Sequence, residues 1–243
     1  MRKGILVTMS VVLAAGAAFA AGSIISSFRS PFYPGYAKGM DHRGQYLYHV
    51  SNYRNYIYET TTTGSIVRSI TAPRMTMGVY FTGSYFWTCS FSPAMVYYLT
   101  TTGSVVRSFA GPAYGYGLTY DGRYLWYSSA IADRIYRLTT TGSVVMSFSH
   151  PGTFAGGLDW ANGYIWAADW PSSGSGVYRV TTTGSVVESY RPVPNGGRPS
   201  GCAWDGNYLW YVDYNSPRYV YQITTALTSI VPSSLGKIKS IYR

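Results

Sequence analysis

Apolar positions in this chain come in short runs of four to six residues, cut by Gly-bearing pairs, and never at helical spacing. The runs QYLYHV (45–50), SYFWTC (84–89), YIWAAD (164–169) and NYLWYV (207–212) are apolar or aromatic on both faces. That is the pattern of a strand buried between two layers. Each follows a tight turn: Arg43-Gly44, Thr82-Gly83, Asn162-Gly163 and Asp205-Gly206, with Asp121-Gly122 ahead of YLWY at 124–127. Such pairs suit hairpins, whose turns need positive φ.

A second phrase punctuates the same stretches: TTTGSIV at 61–67 and TTTGSVV at 100–106, 139–145 and 181–187. Aligned on its Gly, equivalents fall at Gly22, Gly64, Gly103, Gly142 and Gly184, with Ala226 next, at spacings of 42, 39, 39, 42 and 42. A period near 40 is that of a four-stranded propeller blade. One unit reads as strand a at 116–120, the Asp121-Gly122 turn, strand b at 124–127, strand c at 134–138 and strand d at 144–148. TTTGS is then the c–d hairpin, with Thr as strand former and Gly supplying the turn dihedral. A phosphate-cradling loop would need a Lys and a following helix, and neither is present.

The recurring pattern GLxWDGxYLW…RIYRLTTTGSVV resembles the secreted bacterial β-propeller repeats of the NHL and PQQ-like groups, over nearly the whole chain. A fainter similarity is to the five-bladed glutaminyl cyclotransferases. The first resemblance implies fold rather than activity, because propellers host many functions. The second implies a clustered acidic site, which these residues do not assemble.

The a–b–c triplet begins near Gly39, Gly78, Gly117, Gly157 and Gly201, five times. Strand-d equivalents number six: 22–28, 64–70, 103–109, 142–148, 184–190 and, more loosely, 236–242. The expectation is an all-β, five-bladed propeller of four-stranded antiparallel blades with one surplus terminal strand. The surplus has two uses. Gly22, Ser23, Ile24, Ile25, Ser26, Ser27 and Phe28 either close the last blade or are donated to a neighbouring subunit as a subunit-contact strand. In the first case the segment GKIKSIYR within 227–243 adds a fifth strand or stays loose; in the second the C-terminal segment completes the last blade.

Residues 1–20 carry a basic start, an apolar run and the small-x-small site Ala18-Phe19-Ala20, which together read as a signal peptide. No later run is long enough for a transmembrane helix. The expected mature chain is one domain, 21–243, secreted to the cell surface, periplasm or beyond. Its net charge falls from +10 to +8 without Arg2 and Lys3. The Arg are scattered singly, which argues against a nucleic-acid stripe; a mildly basic solubilising surface is favoured, with anionic glycans or lipid headgroups as better partners than nucleic acid.

Charged residues make up only 12% of the chain, and Tyr reaches 26. On the longer b–c and d–a loops, Tyr36, Tyr53, Tyr114, Tyr116, Trp170 and Tyr214 are candidates for a stacking surface, with Arg74 and Arg198 as anion contacts. Asp169 and Asp213 end equivalent b strands, where the other blades have Ser51, Ser90 and Ser129, so loop capping is favoured over catalysis. His42, His49 and His150 fall at unrelated blade positions, so no metal site and no cofactor is expected. Cys202 takes a core place in strand a, and Cys89, in another blade, is not its partner, which leaves an intersubunit disulfide as the one bond open to an exported chain.

The expected function is that of an exported, non-enzymatic structural or adhesive propeller, self-associating into an extracellular filament by terminal-strand exchange. A propeller binding glycan or peptide on its loop face is the alternative. A secreted cyclotransferase or lyase is the third.

Overall fold

The structure, a computed structural model, describes residues 20–31, 37–170, 175–191, 197–215 and 217–225. The signal segment before Ala20, Tyr36 and the C-terminal strand candidate lie outside these. Two short strands come first, β1 (Ala20–Ala21) and β2 (Ile24–Arg29). Blade 1 is β3 (Ala37–Arg43), β4 (Tyr46–Ser51), β5 (Tyr56–Thr61) and β6 (Ile66–Thr71). Blade 2 is β7 (Thr76–Phe81), β8 (Tyr85–Ser90), β9 (Met95–Thr100) and β10 (Val105–Ala110). Blade 3 is β11 (Gly115–Tyr120), β12 (Leu125–Ser129), β13 (Arg134–Leu138) and β14 (Val144–Ser149). Blade 4 is β15 (Ala155–Ala161), β16 (Tyr164–Asp169), β17 (Val177–Val180) and β18 (Val186–Arg191). Blade 5 takes β19 (Pro199–Trp204), β20 (Leu209–Asp213) and β21 (Tyr219–Ile223), and β2 supplies its fourth strand.

Ile24 pairs with Ile223 and Phe28 with Val220, so the N-terminal strand closes its own ring. Of the two uses expected for the terminal strand, this chain shows the closing one, with Ile24–Arg29 on β21. Two extra bonds pin the junction, Thr224 N–H to the Ser23 carbonyl and Ser23 N–H to Thr224 Oγ1, both at 2.9 Å. Gly22 does not need the left-handed dihedral of its four counterparts; it needs room, because a Cβ there would stand 2.6 Å from the Thr224 carbonyl. β1 adds a fifth strand to blade 4, parallel to β18, with Ala20 beside Tyr190. Removing residues 20–29 is expected to abolish cooperative unfolding rather than leave a folded monomer. A retained, sharp denaturation transition in the deleted chain would show that β2 is dispensable.

The core is five wedges, one per blade interface. Trp126 and Ile135 of blade 3 meet Leu158, Ile165 and Val180 of blade 4; Trp166 and Tyr190 of blade 4 meet Trp204 and Tyr211 of blade 5. Leu47 and Tyr58 of blade 1 meet Trp210 and Val220 of blade 5, with Phe28 packed on this wedge. Double-sided burial of every b strand explains why those runs are apolar on both faces.

The TTTGS turns do two jobs. In each, the first Thr N–H donates to the Ser carbonyl at 2.9 Å and its hydroxyl meets that of the third Thr at 2.9 Å. The glycines have φ between +92° and +99°. They also lie flat against the preceding blade: Gly142 on Phe109, Gly184 on Phe148 and Gly64 on Phe28, where a Cβ would collide with the ring. The phrase is a hairpin and an inter-blade contact at once.

Around the axis the a strands touch through a second ring of glycines. A Cβ on Gly39 would stand 2.5 Å from the Met77 carbonyl, on Gly78 2.6 Å from Leu118 N, and on Gly117 2.5 Å from the Gly156 carbonyl. On Gly157 it would stand 2.6 Å from Gly201 Cα, and Gly201 abuts the Lys38 carbonyl, completing the circle. These positions need glycine for closeness of backbones rather than for positive φ.

Candidate functional site at the axial loop face

The residue before each axial glycine is the second of strand a, at the end carrying the long loops. In order these are Lys38, Met77, Tyr116, Gly156 and Ser200, so one long cation stands in an otherwise neutral set. Lys38 is the sole lysine among the described residues, and it is only 4% exposed. Its Nζ donates to Tyr116 Oη at 3.1 Å. It lies 4.4 Å from the ring centre of Tyr214, 4.6 Å from Trp170 and 5.3 Å from Tyr116, within cation–π range of all three.

The rings form a continuous set. Trp170 and Tyr214 are 4.2 Å apart between centroids, Trp170 and Phe154 5.1 Å, and Tyr116 and Phe154 5.7 Å, edge to face. Tyr116 is 1% exposed and forms a small cluster with Met77 and Ala130, flanked by Phe91, Phe154 and Trp170. Burial, helped by the nearby positive charge of Arg218, pulls the Lys38 ammonium down from 10.5 to about 7. Burial pushes the Tyr116 hydroxyl well above its ordinary value, so it remains a neutral acceptor for the amine. The site thus holds an amine that titrates near neutrality beneath a partly exposed aromatic surface.

Three of the residues expected from the loops, Tyr116, Trp170 and Tyr214, meet around this amine. Tyr114 is 41% exposed and sits tilted against Phe91 at 5.3 Å, at the margin. Tyr53 stands 76% exposed in the blade 1 b–c loop and takes no part in the axial set. Arg74 and Arg198 have exposed side chains, and neither is among the groups acting on Lys38. Lys38 itself was invisible as a candidate. One signal points to it in retrospect, the lone charge in the register Lys38, Met77, Tyr116, Gly156, Ser200.

The acids are placed structurally. Asp169 Oδ1 accepts from Thr153 N–H and Phe154 N–H at 3.0 and 2.9 Å, holding the loop that presents Phe154. Asp213 Oδ1 accepts from Arg198 N–H and Asn215 N–H, both at 2.9 Å, beside Tyr214. Loop capping by this pair therefore supports the aromatic set indirectly. Asp121 and Asp205 cap the a–b turns and accept from Trp126 and Trp210 Nε1 at 2.9 and 2.7 Å.

At the opposite end of the axis, Asp41 and Asp159 are buried and staple neighbouring blades. Asp41 Oδ2 accepts from Phe81 N–H at 2.7 Å and Asp159 Oδ2 from Trp204 N–H at 2.6 Å. Burial raises them to about 7 and about 6, against the pull of Arg43. His49 is wholly buried on Thr60 Oγ1 at 3.0 Å, and burial lowers it to about 3. Cys89 and Cys202 are free thiols, both fully buried, so an intersubunit disulfide through either has no access.

No family model and no curated protein sequence matches this chain. Solved structures do. Myxococcus xanthus glutaminyl cyclase is 14% identical with a TM-score of 0.69, covering 84% of this chain and 95% of its own. A streptogramin B lyase is 17% identical with a TM-score of 0.51, over 80% and 67% of the two chains. A catalytically inactive virginiamycin B lyase from Staphylococcus aureus, solved with quinupristin, is 20% identical with a TM-score of 0.50, over 83% and 73%. At such identities the shared property is the fold: this chain is a β-propeller, built from five four-stranded blades.

Proposed function

We propose that the protein is an exported, non-enzymatic adhesion propeller that holds an acidic glycan at the axial loop face. The observation that carries this reading is the Lys38 amine set among Tyr116, Trp170 and Tyr214, with the Arg218 charge acting on it. Partly exposed indole and phenol faces stack on pyranose rings, while two adjacent cations favour a carboxylate. An incoming carboxylate stabilises the protonated amine, so binding takes up a proton when the pH lies above the free-state value of Lys38.

Calorimetry with oligogalacturonate and a neutral glucan of equal length tests this. The acidic oligomer is expected to bind more tightly, and about tenfold more tightly at pH 6 than at pH 8, following the protonated fraction of an amine titrating near 7. Lys38→Met should remove that pH dependence, and Trp170→Ala should weaken binding roughly tenfold. Equal binding of both oligomers, or an unchanged pH profile in Lys38→Met, would sink the proposal.

Self-association into an extracellular assembly is the second reading, favoured by the outer wall. The pairs Ile66-Val67, Val105-Val106 and Val144-Val145 are exposed on successive d strands. Charges that normally protect open strand edges are sparse there: β6 and β10 carry one Arg each and β14 none. This reading rests on side-by-side contact of walls between copies and leaves β2 in its own blade.

A further inference from the structure

We infer that the Lys38 amine captures an aldehyde as an imine at the axial loop face, so that the site bonds a ligand covalently as well as stacking on it. Two kinds of surroundings turn a lysine from a charge into a nucleophile: apolar rings that strip it of water, and a second cation beside it. Lys38 has both. It is almost wholly buried, its Nζ lies within 5.3 Å of the ring centres of Tyr116, Trp170 and Tyr214, and the charge acting on it is that of Arg218.

The carboxylates next to Trp170 and Tyr214 in the chain are turned to other work. Asp169 accepts from the Thr153 and Phe154 N–H groups, and Asp213 from those of Arg198 and Asn215. Nor does the ring need an amine at this place. Met77 holds the equivalent position of blade 2 and is buried too, so an uncharged side chain of similar length packs there without desolvating a cation. With burial holding Lys38 near 7, about half of it is unprotonated at pH 7, against about one part in three thousand for an ordinary lysine.

The hydrogen bond to Tyr116 Oη, at 3.1 Å, occupies one N–H and turns the nitrogen lone pair away from that hydroxyl. Trp170 and Tyr214 are partly exposed, and a ligand stacked on them arrives from that side. The step balances with no other reagent. The Nζ lone pair bonds to the aldehyde carbon while the C=O π pair moves to oxygen. Both amine hydrogens then leave on that oxygen as one water, and a C=N bond remains. Sugar aldehydes and aryl aldehydes share this chemistry, and both stack on indole and phenol faces. Capture stands apart from the acidic-glycan reading, because it needs the neutral amine where a carboxylate needs the charged one.

Sodium cyanoborohydride, which reduces imines and spares aldehydes near neutral pH, traps the bond for peptide mass mapping. The full chain is incubated at pH 7 with glycolaldehyde or with benzaldehyde, and N-acetyl-lysine amide in the same solution serves as the reference amine. The reduced adduct is expected to form on Lys38 at least tenfold faster than on the reference. The faster of the two aldehydes tells a sugar-type ligand from an aryl one. Labelling of Lys38 no faster than the reference, or only after unfolding in urea, overturns the inference, whatever oligogalacturonate does.

Discussion

Gly201→Ala is expected to destabilise the ring by more than about 3 kcal/mol, or to prevent its folding. Overpacking normally costs about 1–3 kcal/mol, because side chains shift to make room. Here the atoms in the way are backbone on both sides: the added Cβ runs into the Lys38 carbonyl and stands 3.2 Å from Gly39 Cα. Relief requires prising blade 5 from blade 1, at the interface that β2 also closes. Gly83→Ala is the control. Its φ of +96° strains an alanine, but nothing lies within 4 Å of the new atom, so a loss of about 1–2 kcal/mol is expected. Urea denaturation followed by tryptophan fluorescence compares the two. Equal losses would mean that the axial glycines are not held by backbone contact.

The second large effect is on pH. Lys38 titrates near 7 in the folded chain and near 10.5 when unfolded, so between these values the unfolded state binds the extra proton. Lys38 therefore adds stability as pH rises from 7, at up to about 1.4 kcal/mol per unit, until above 9 the Cys89 and Cys202 thiols, raised by burial, oppose it. On the acid side the buried groups oppose one another. Asp41 and Asp159, raised to about 7 and 6, lose stability as pH climbs from 3.8. His49 and His150, lowered to about 3 and 4, lose it as pH falls from 6.5. The slope below pH 6.5 is thus shallow and the slope between 7 and 9 steep. Lys38→Met should flatten that limb and raise stability at pH 6. Urea midpoints between pH 4 and 9 decide it: a flat wild-type limb between 7 and 9, or an unchanged limb in the variant, refutes the assignment to Lys38.

What the sequence displayed well was whatever repeats at short range. The TTTGS phrases, the Gly-bearing a–b turns and the two-sided b strands each depend on residues within a hairpin, and they place all five blades. The placing of β2 was one of two open possibilities, because its pairing with Ile223 depends on how the ring ends rather than on local pattern. The site was half legible. Tyr116, Trp170 and Tyr214 stood out as loop aromatics, but Lys38 carries no motif. Its partners come from three other blades, the first 78 positions away, and they converge only once the circle is complete. The axial glycines were visible as a recurring letter, while the reason for them, backbone against backbone across neighbouring blades, belongs to the assembled ring.

The pairing of Ile24 with Ile223 also sets a timetable. Strand β2 is among the first described parts of the chain to be synthesised and the last to find its place, since its partner β21 lies almost 200 residues later. At about 5–20 residues per second, that interval is about 10–40 s. Throughout it the Ile24-Ile25 strand lacks its neighbour β21, and four finished blades stand as an open arc. A nascent ring of this design waits on its own beginning, so whatever shields residues 22–28 during that wait governs the yield of closed molecules.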